Sequence, residues 1–399
     1  MTTPDRFYPV WPGFGLVVAA HCLGVMNLLA VLACSPLIAV ELDLTAVDIG
    51  LIASAYSAAL GGLSIPAGRL TDSLGVRLSL FLAAMLIATG ALIIAASAGF
   101  GALLAGIVLC GAGYSLVNPA AGRAVLQWYP AEWRGTLMGI KQTGVPIGGA
   151  IGTTSAVLAP AVGWHAVIGG LGVVTALLGV MFLTLPRDQT TAPVRRKTLR
   201  EEFDAIGQLF RDPVLGRNNL ASGLTNGGQF ILWSYLTEFL RLGAGFGLPL
   251  ANACLTILHL GSVAGRVLWG WLTDRVMRRD SRATLLVLTA IAIAGLLGMA
   301  LVTPQNALLV VPLLAVALGL TICSATGVQL ALTLQSARPE QAGGAIGYNM
   351  LVTNIGGVVA PPAFGMVLDL GGGFALAWGL TALGVVFAFA LLWCDRKRS

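Results

Sequence analysis

Twelve apolar runs follow one another along the chain, and this recurrence constrains the fold more than any motif does. They lie near residues 14–38, 46–69, 77–97, 101–126, 136–158, 164–184, 217–240, 249–272, 283–302, 307–335, 342–368 and 374–394. About 20 apolar residues coiled as a helix cross the hydrocarbon layer of a bilayer. A helix satisfies its own backbone hydrogen bonds there, so runs of this length specify membrane-spanning helices. The composition agrees: 57% of the 399 residues are hydrophobic and 10% are charged. That is too little charge to cover a water-facing surface. The first run is one of many, so it reads as a span and not as a cleaved leader. The expected fold is an all-α membrane protein with twelve transmembrane helices.

An even number of spans puts both termini on one side. Of the 23 Lys and Arg residues, only Arg241 falls in a loop on the opposite side, while Arg123, Lys141 and Arg266 fall within apolar runs. All the others collect with the termini, which the positive-inside rule assigns to the cytoplasm. A multi-pass protein of a bacterial inner membrane with cytoplasmic termini is expected. The segment 186–216 breaks the apolar rhythm with mixed charge. It divides residues 1–185 from residues 217–399 as a cytoplasmic linker. Within it, "LREEFDAIGQLF" has helical spacing suited to a membrane surface.

The two parts echo each other. "GRLTD" at 68–72 and "GWLTD" at 270–274 share G-x-L-T-D at an offset of 202. Glu132, Gly135, Gly139, Gly148 and Gly149 match Glu340, Gly343, Gly347, Gly356 and Gly357 at an offset of 208. A duplicated six-helix unit suggests a secondary transporter with its site between two pseudo-symmetric six-helix bundles. The segments "GRLTDSLGVRLSL", "GRVLWGWLTDRVMRR" and "WYPAEWRGTLMGI" resemble signatures of the major facilitator superfamily, and the resemblance extends over essentially the whole chain. It implies alternating access by rocking of the halves. It also implies a cytoplasmic latch at the repeated loop, matched here by Gly68, Arg69, Asp72, Gly75 and Arg77 and repeated at Asp274 and Arg275; the position of Arg123 suits pairing with Asp72 in that gate, the alternative being a substrate contact near the inner mouth. Gly68 reads as a place of close helix approach.

No acidic residue falls in the middle of a span, which argues against a carrier that uses a buried carboxylate for protons. The interior ionisable groups are His21, Arg123, Lys141, His259 and Arg266. A cationic bias favours an anionic substrate. Arg266 is the leading candidate, and His259, seven residues earlier, shares its helix face. "GRVLWGWLTDR" is similar to the eighth-helix context of monocarboxylate and oxalate–formate carriers, which implies that Arg266 grips a carboxylate. Where some relatives place a lysine in the first helix, this chain offers His21 and Asn27. Ser222, Asn226, Gln229 and Trp233 form a polar stripe on the seventh run, and Asn349 and Thr353 form another on the eleventh. The alternative for such stripes is helix–helix hydrogen bonding. "GVPIGGAIG" partly resembles an antiporter signature and equally suits a kinked packing surface.

The expected substrate site therefore comprises Arg266, His259, Lys141, Asn226, Gln229, Trp233, Asn349 and His21. The expected partners are a small organic anion, protons as a coupling ion, and the lipid bilayer, with no nucleic acid and a monomeric state. No cofactor is expected. The six cysteines lack metal-ligand spacing, and no phosphate loop or nucleophile triad is present, so neither an enzyme nor an ATP-driven pump is expected. Two other functions fit the pattern. One is a proton-coupled exporter of drug-like or neutral metabolites, with His21 or His259 carrying protons. The other is a transporter-like receptor, which the short loops disfavour.

Overall fold

The computed structural model describes residues 11–186, 207, 209, 211–338 and 341–396. The surface helix expected within 186–216 lies almost wholly outside them. Among the described residues every regular element is helical. We number the main ones α1 (Trp11–Ala33), α2 (Ala46–Gly62), α3 (Ser64–Ala95), α4 (Phe100–Trp128), α5 (Ala131–Gln142 and Gly144–Ser155) and α6 (Trp164–Met181). The second set is α7 (Pro213–Glu238), α8 (Leu248–Arg275), α9 (Ser281–Ala300), α10 (Ala307–Leu320 and Thr326–Ser336), α11 (Ala342–Asp369) and α12 (Gly373–Arg396). Ten stretches among the described residues are long and apolar enough to cross a membrane, and Ala46–Gly62 is apolar but shorter. The amide- and hydroxyl-rich α7 completes a pattern consistent with twelve crossings.

Three expected spans have different bounds, each for a local reason. The first helix stops at Ala33, and a short helix Ser35–Leu42 with Pro36 in its first turn follows. The second crossing runs on past Leu63 through the whole G-x-L-T-D signature, so Asp72 sits on helix and not in a loop. Gly75 ends it with φ 76° and ψ 176°, a conformation open to glycine and strained for other residues. α10 breaks after Leu320 because that carbonyl is taken from the helix ladder: the Trp269 indole donates to it at 2.5 Å, and the Ser324 hydroxyl donates to it as well.

Packing repeats with a step of six. The pairs α1–α5, α3–α6 and α2–α4 recur as α7–α11, α9–α12 and α8–α10. The glycines matched at offset 208 do corresponding work. A Cβ on Gly148 would lie 2.2 Å from the Cys22 carbonyl oxygen, and one on Gly356 would lie 2.0 Å from that of Gly223. These glycines let α5 close onto α1 and α11 close onto α7. Their neighbours Gly149 and Gly357 face the other half, against His259 of α8 and Ser57 of α2.

The halves meet along α2–α11, α5–α8 and α1–α7. At one end of this seam, the Asp369 carboxylate accepts the backbone N–H groups of Ala46 and Val47, each at 3.0 Å. The Tyr235 hydroxyl donates there to the Ala46 and Pro361 carbonyls. Thr153 and Thr154 of α5 meet the Thr256 hydroxyl of α8. Contact continues to Gly61 against Asn354 and to Gln142 against Arg266. One heptad further on, at Gly68 and Gly347, a Cβ would meet nothing within 4 Å. The seam is therefore closed at the end bearing Asp369 and open towards the arginine-rich end. The close approach expected at Gly68 is absent in this arrangement because the halves have parted there.

Candidate functional site

The deepest polar cluster lies where α1, α4, α5 and α8 converge, just above the open end of the seam. Asn118 of α4 organises it. Its Oδ1 faces His21 Nε2 at 3.3 Å, Lys141 Nζ at 3.4 Å and Gln142 Nε2 at 3.4 Å. His21 is oriented from the other side by the Val17 carbonyl, 3.1 Å from Nδ1. Lys141 is only 5% exposed.

Arg266 joins from the opposite half, and proline chemistry explains how. Pro146 has no N–H, so the carbonyl four residues earlier, that of Gln142, loses its helical donor. α5 accordingly breaks at Thr143. The freed Gln142 oxygen accepts from Arg266 Nη1 at 2.9 Å. The proline of "GVPIGGAIG" thus does more than kink a packing surface, because it exposes an acceptor that ties α5 to α8. Arg266 Nε is buried without a partner among the described residues. Neither Arg266 nor Lys141 has a carboxylate partner among the described residues. An arrangement of this kind can bind an anion between two cations that belong to different halves.

His259 lies higher on the same face of α8. It is fully buried, its ring is 5.7 Å from that of Trp233, and neither ring nitrogen has a partner among the described residues. Trp233 Nε1 is likewise buried with no hydrogen-bond partner among the described residues. Gln229, one turn before Trp233, is buried and makes no hydrogen bond among the described residues.

Other predicted residues are committed elsewhere. Asn226 donates to the Thr353 carbonyl at 2.7 Å, and Asn349 donates to Asn219 Oδ1 at 2.9 Å. These bonds join α7 to α11 inside one bundle, the helix–helix bonding that the polar stripes also allowed. Asn27 donates to Thr175 of α6, and Ser262 donates to the Cys323 carbonyl, with the same consequence. Arg123 Nη1 lies 3.0 Å from Asp72 Oδ1 in the half-exposed layer near Gly75. Arg77 is half-buried, while Asp274 and Arg275 are exposed; Arg69 is half-buried on the helical part of the signature. The structure brings His21, Lys141 and Arg266 together and sets His259, Trp233 and Gln229 beside them.

Sequence reasoning missed Asn118, the Gln142 carbonyl and the Asp369 clamp. A proline four residues after Gln142 was the available signal for the carbonyl. Asp369 pairs with residues over 320 positions away, and no local pattern marks that.

The family model described as Major Facilitator Superfamily matches residues 14–361. A hexuronate transporter of Bacillus subtilis is 25% identical over 92% of this chain and 90% of its own length. The "Probable sulfoacetate transporter SauU" of Cupriavidus necator is 25% identical over 96% and 94%. Among solved structures, a bacterial homolog of the human lysosomal transporter Spinster, inward-facing and unoccupied, aligns with a TM-score of 0.78 at 17% identity. That alignment covers 100% of this chain and 98% of the other.

Proposed function

Because this chain belongs to the Major Facilitator Superfamily, we propose that it is a secondary transporter of a small organic anion. The anionic group, a carboxylate or sulfonate, sits between Lys141 of one half and Arg266 of the other. The observation that carries this reading is the pair of cations at the seam with no carboxylate partner among the described residues. A bare charge at such depth is costly, and a bound anion relieves that cost. The names of the hexuronate and sulfoacetate relatives support the same substrate class.

The arginine-rich end faces the cytoplasm by the positive-inside rule. The present arrangement is then the inward-open one, with the Asp369 clamp sealing the outer side. Transport follows when the halves rock, so that the Asp369 end parts and the Gly68–Gly347 end closes. Arg266 provides planar paired donors that a lysine cannot reproduce.

Proteoliposome uptake tests the proposal with sulfoacetate and D-galacturonate as anions and D-galactose as the neutral control. The anions are expected to move and galactose is not. A charged hydrogen bond contributes about 1.5–3 kcal/mol, so Arg266→Gln should weaken anion affinity by roughly 10- to 100-fold. Arg266→Lys should fall between. Unchanged anion transport by a normally folded Arg266→Gln protein would return Arg266 to a structural tie for the Gln142 carbonyl.

A further inference from the structure

We infer that His259, Trp233 and Gln229 form a second, uncharged subsite that takes the hydroxyl groups of the substrate, so the cargo is a hydroxylated carboxylate and not a bare short acid. The inference rests on the anion reading of Lys141 and Arg266 and adds the other end of the ligand. A neutral imidazole always carries one donor and one acceptor. At His259 both are wholly buried and unmet, and an unmet buried polar group is costly. A leucine or phenylalanine would fill the same space more cheaply if packing were the only demand. The neighbours show the same spare capacity. The Trp233 indole N–H is buried without a partner among the described residues, and Gln229 is buried with no hydrogen bond there.

Placement supports the reading. Gly149 leaves room for the His259 ring, since a Cβ there would fall 2.6 Å from His259 Nδ1 and 2.7 Å from Leu29 Cδ1. The subsite thus lies where α1 and α5 of one half meet α7 and α8 of the other. The pseudo-symmetric position, at offset 202, is Ser57 against Gly357. The scaffold needs only a small side chain at that place, and the histidine is the departure from it.

Scale supports the reading as well. His259 and Arg266 are seven residues apart on one face, about 10 Å along the axis. The contacts of the two heads keep that spacing, since Arg266 reaches the Gln142 carbonyl and His259 lies against Gly149, seven residues further along α5. A six-carbon hydroxy acid spans that gap, whereas a two-carbon acid at Arg266 leaves His259 unsatisfied.

The test is calorimetric binding to the purified full chain of D-glucuronate and of hexanoate, which has the same carbon count and no hydroxyls. Wild type should bind glucuronate at least about ten-fold more tightly than hexanoate, the increment of one or two hydrogen bonds. His259→Leu should abolish that preference, weakening glucuronate at least about ten-fold more than hexanoate. His259→Asn, which keeps a donor and an acceptor, should retain part of it. Trp233→Phe, which keeps the ring and removes the N–H, should reduce it. Arg266→Gln should weaken both ligands. Anion binding without a hydroxyl preference would overturn the subsite and leave the anion reading intact. Equal weakening of both ligands by His259→Leu would make the histidine a packing residue and also overturn it. Failure of wild type to bind either anion would overturn both readings together.

Discussion

Replacing Asp369 by alanine removes the clamp that seals one end of the seam, and the structure sets the size of the effect. The carboxylate accepts two N–H groups of α2, each at 3.0 Å. These belong to the first turn of a helix, whose N–H groups have no partner within it. The Thr45 hydroxyl accepts a third, that of Asp48, through a capping box. The negative charge also sits at the positive end of the helix dipole. A sheltered charged hydrogen bond contributes about 1.5–3 kcal/mol. Asp369 is exposed, and exposed charge pairs contribute about 1 kcal/mol or less. The clamp as a whole is therefore worth about 1–2 kcal/mol, or roughly 5- to 30-fold in an equilibrium. It acts only while α2 and α11 meet at this end. Nitroxide labels at Val40 and Leu370, which are 84% and 81% exposed on opposite halves at that end, read the change as a distance distribution. With native cysteines replaced, Asp369→Ala should raise the ratio of long to short separations by that factor. Asp369→Asn, which keeps one acceptor, should fall between. Identical distributions for wild type and Asp369→Ala would refute the clamp.

Three further outcomes follow from the same geometry. Asp72→Asn should slow transport while leaving thermal stability within about 1 kcal/mol, because the Arg123 pair is largely exposed; a loss of equilibrium substrate affinity with normal turnover would contradict a gating role. Cysteines at Gly68 and Gly347 should stay apart in the present arrangement and crosslink when substrate drives turnover, as mobility on a denaturing gel would show. Pro146→Ala restores an N–H that competes with Arg266 for the Gln142 carbonyl, so anion affinity measured by calorimetry should change; an affinity equal to wild type would show that this carbonyl does not position the arginine.

The spans, the duplication and the Asp72–Arg123 pairing were legible because each rests on local period or on repeated spacing. The α7 stripe shows where such reading stops. Ser222, Asn226, Gln229 and Trp233 do share a helix face, but periodicity does not say what covers it. Gly223 and Gly227 bring α11 close, so Asn226 finds the Thr353 carbonyl. One and two turns along the same face, Gln229 and Trp233 make no hydrogen bond to α11 among the described residues, although Tyr235 still bonds to its Pro361 carbonyl. His21 was legible as a charge inside a span, whereas Asn118, the oxygen it shares with Lys141 and Gln142, carries no charge and was not. The clamp at Asp369 was hidden because its partners are backbone groups of another bundle, and backbone groups look alike in any sequence.

The departures from symmetry lead to one more expectation, about the mode of transport. At the repeat positions of Lys141 and Arg266 stand Asn349 and Ser64. Asn349 bonds to Asn219 within its own bundle, and Ser64 bonds to the Gly61 carbonyl one turn back. The symmetric copies are thus spent on local structure, while the two cations face each other across the seam. With no anion between them they repel. Two unit charges that closure brings to about 7 Å at an effective dielectric constant of about 20 repel by about 2 kcal/mol. That cost opposes closure of the open end in the empty carrier and vanishes when an anion sits between the cations. The empty carrier should then reorient roughly 30-fold more slowly than the loaded one. Efflux of labelled anion from proteoliposomes should accelerate sharply when unlabelled anion is present outside. Lys141→Gln should lessen that acceleration by speeding the empty return. Efflux indifferent to external anion would show that the two charges do not govern the return step.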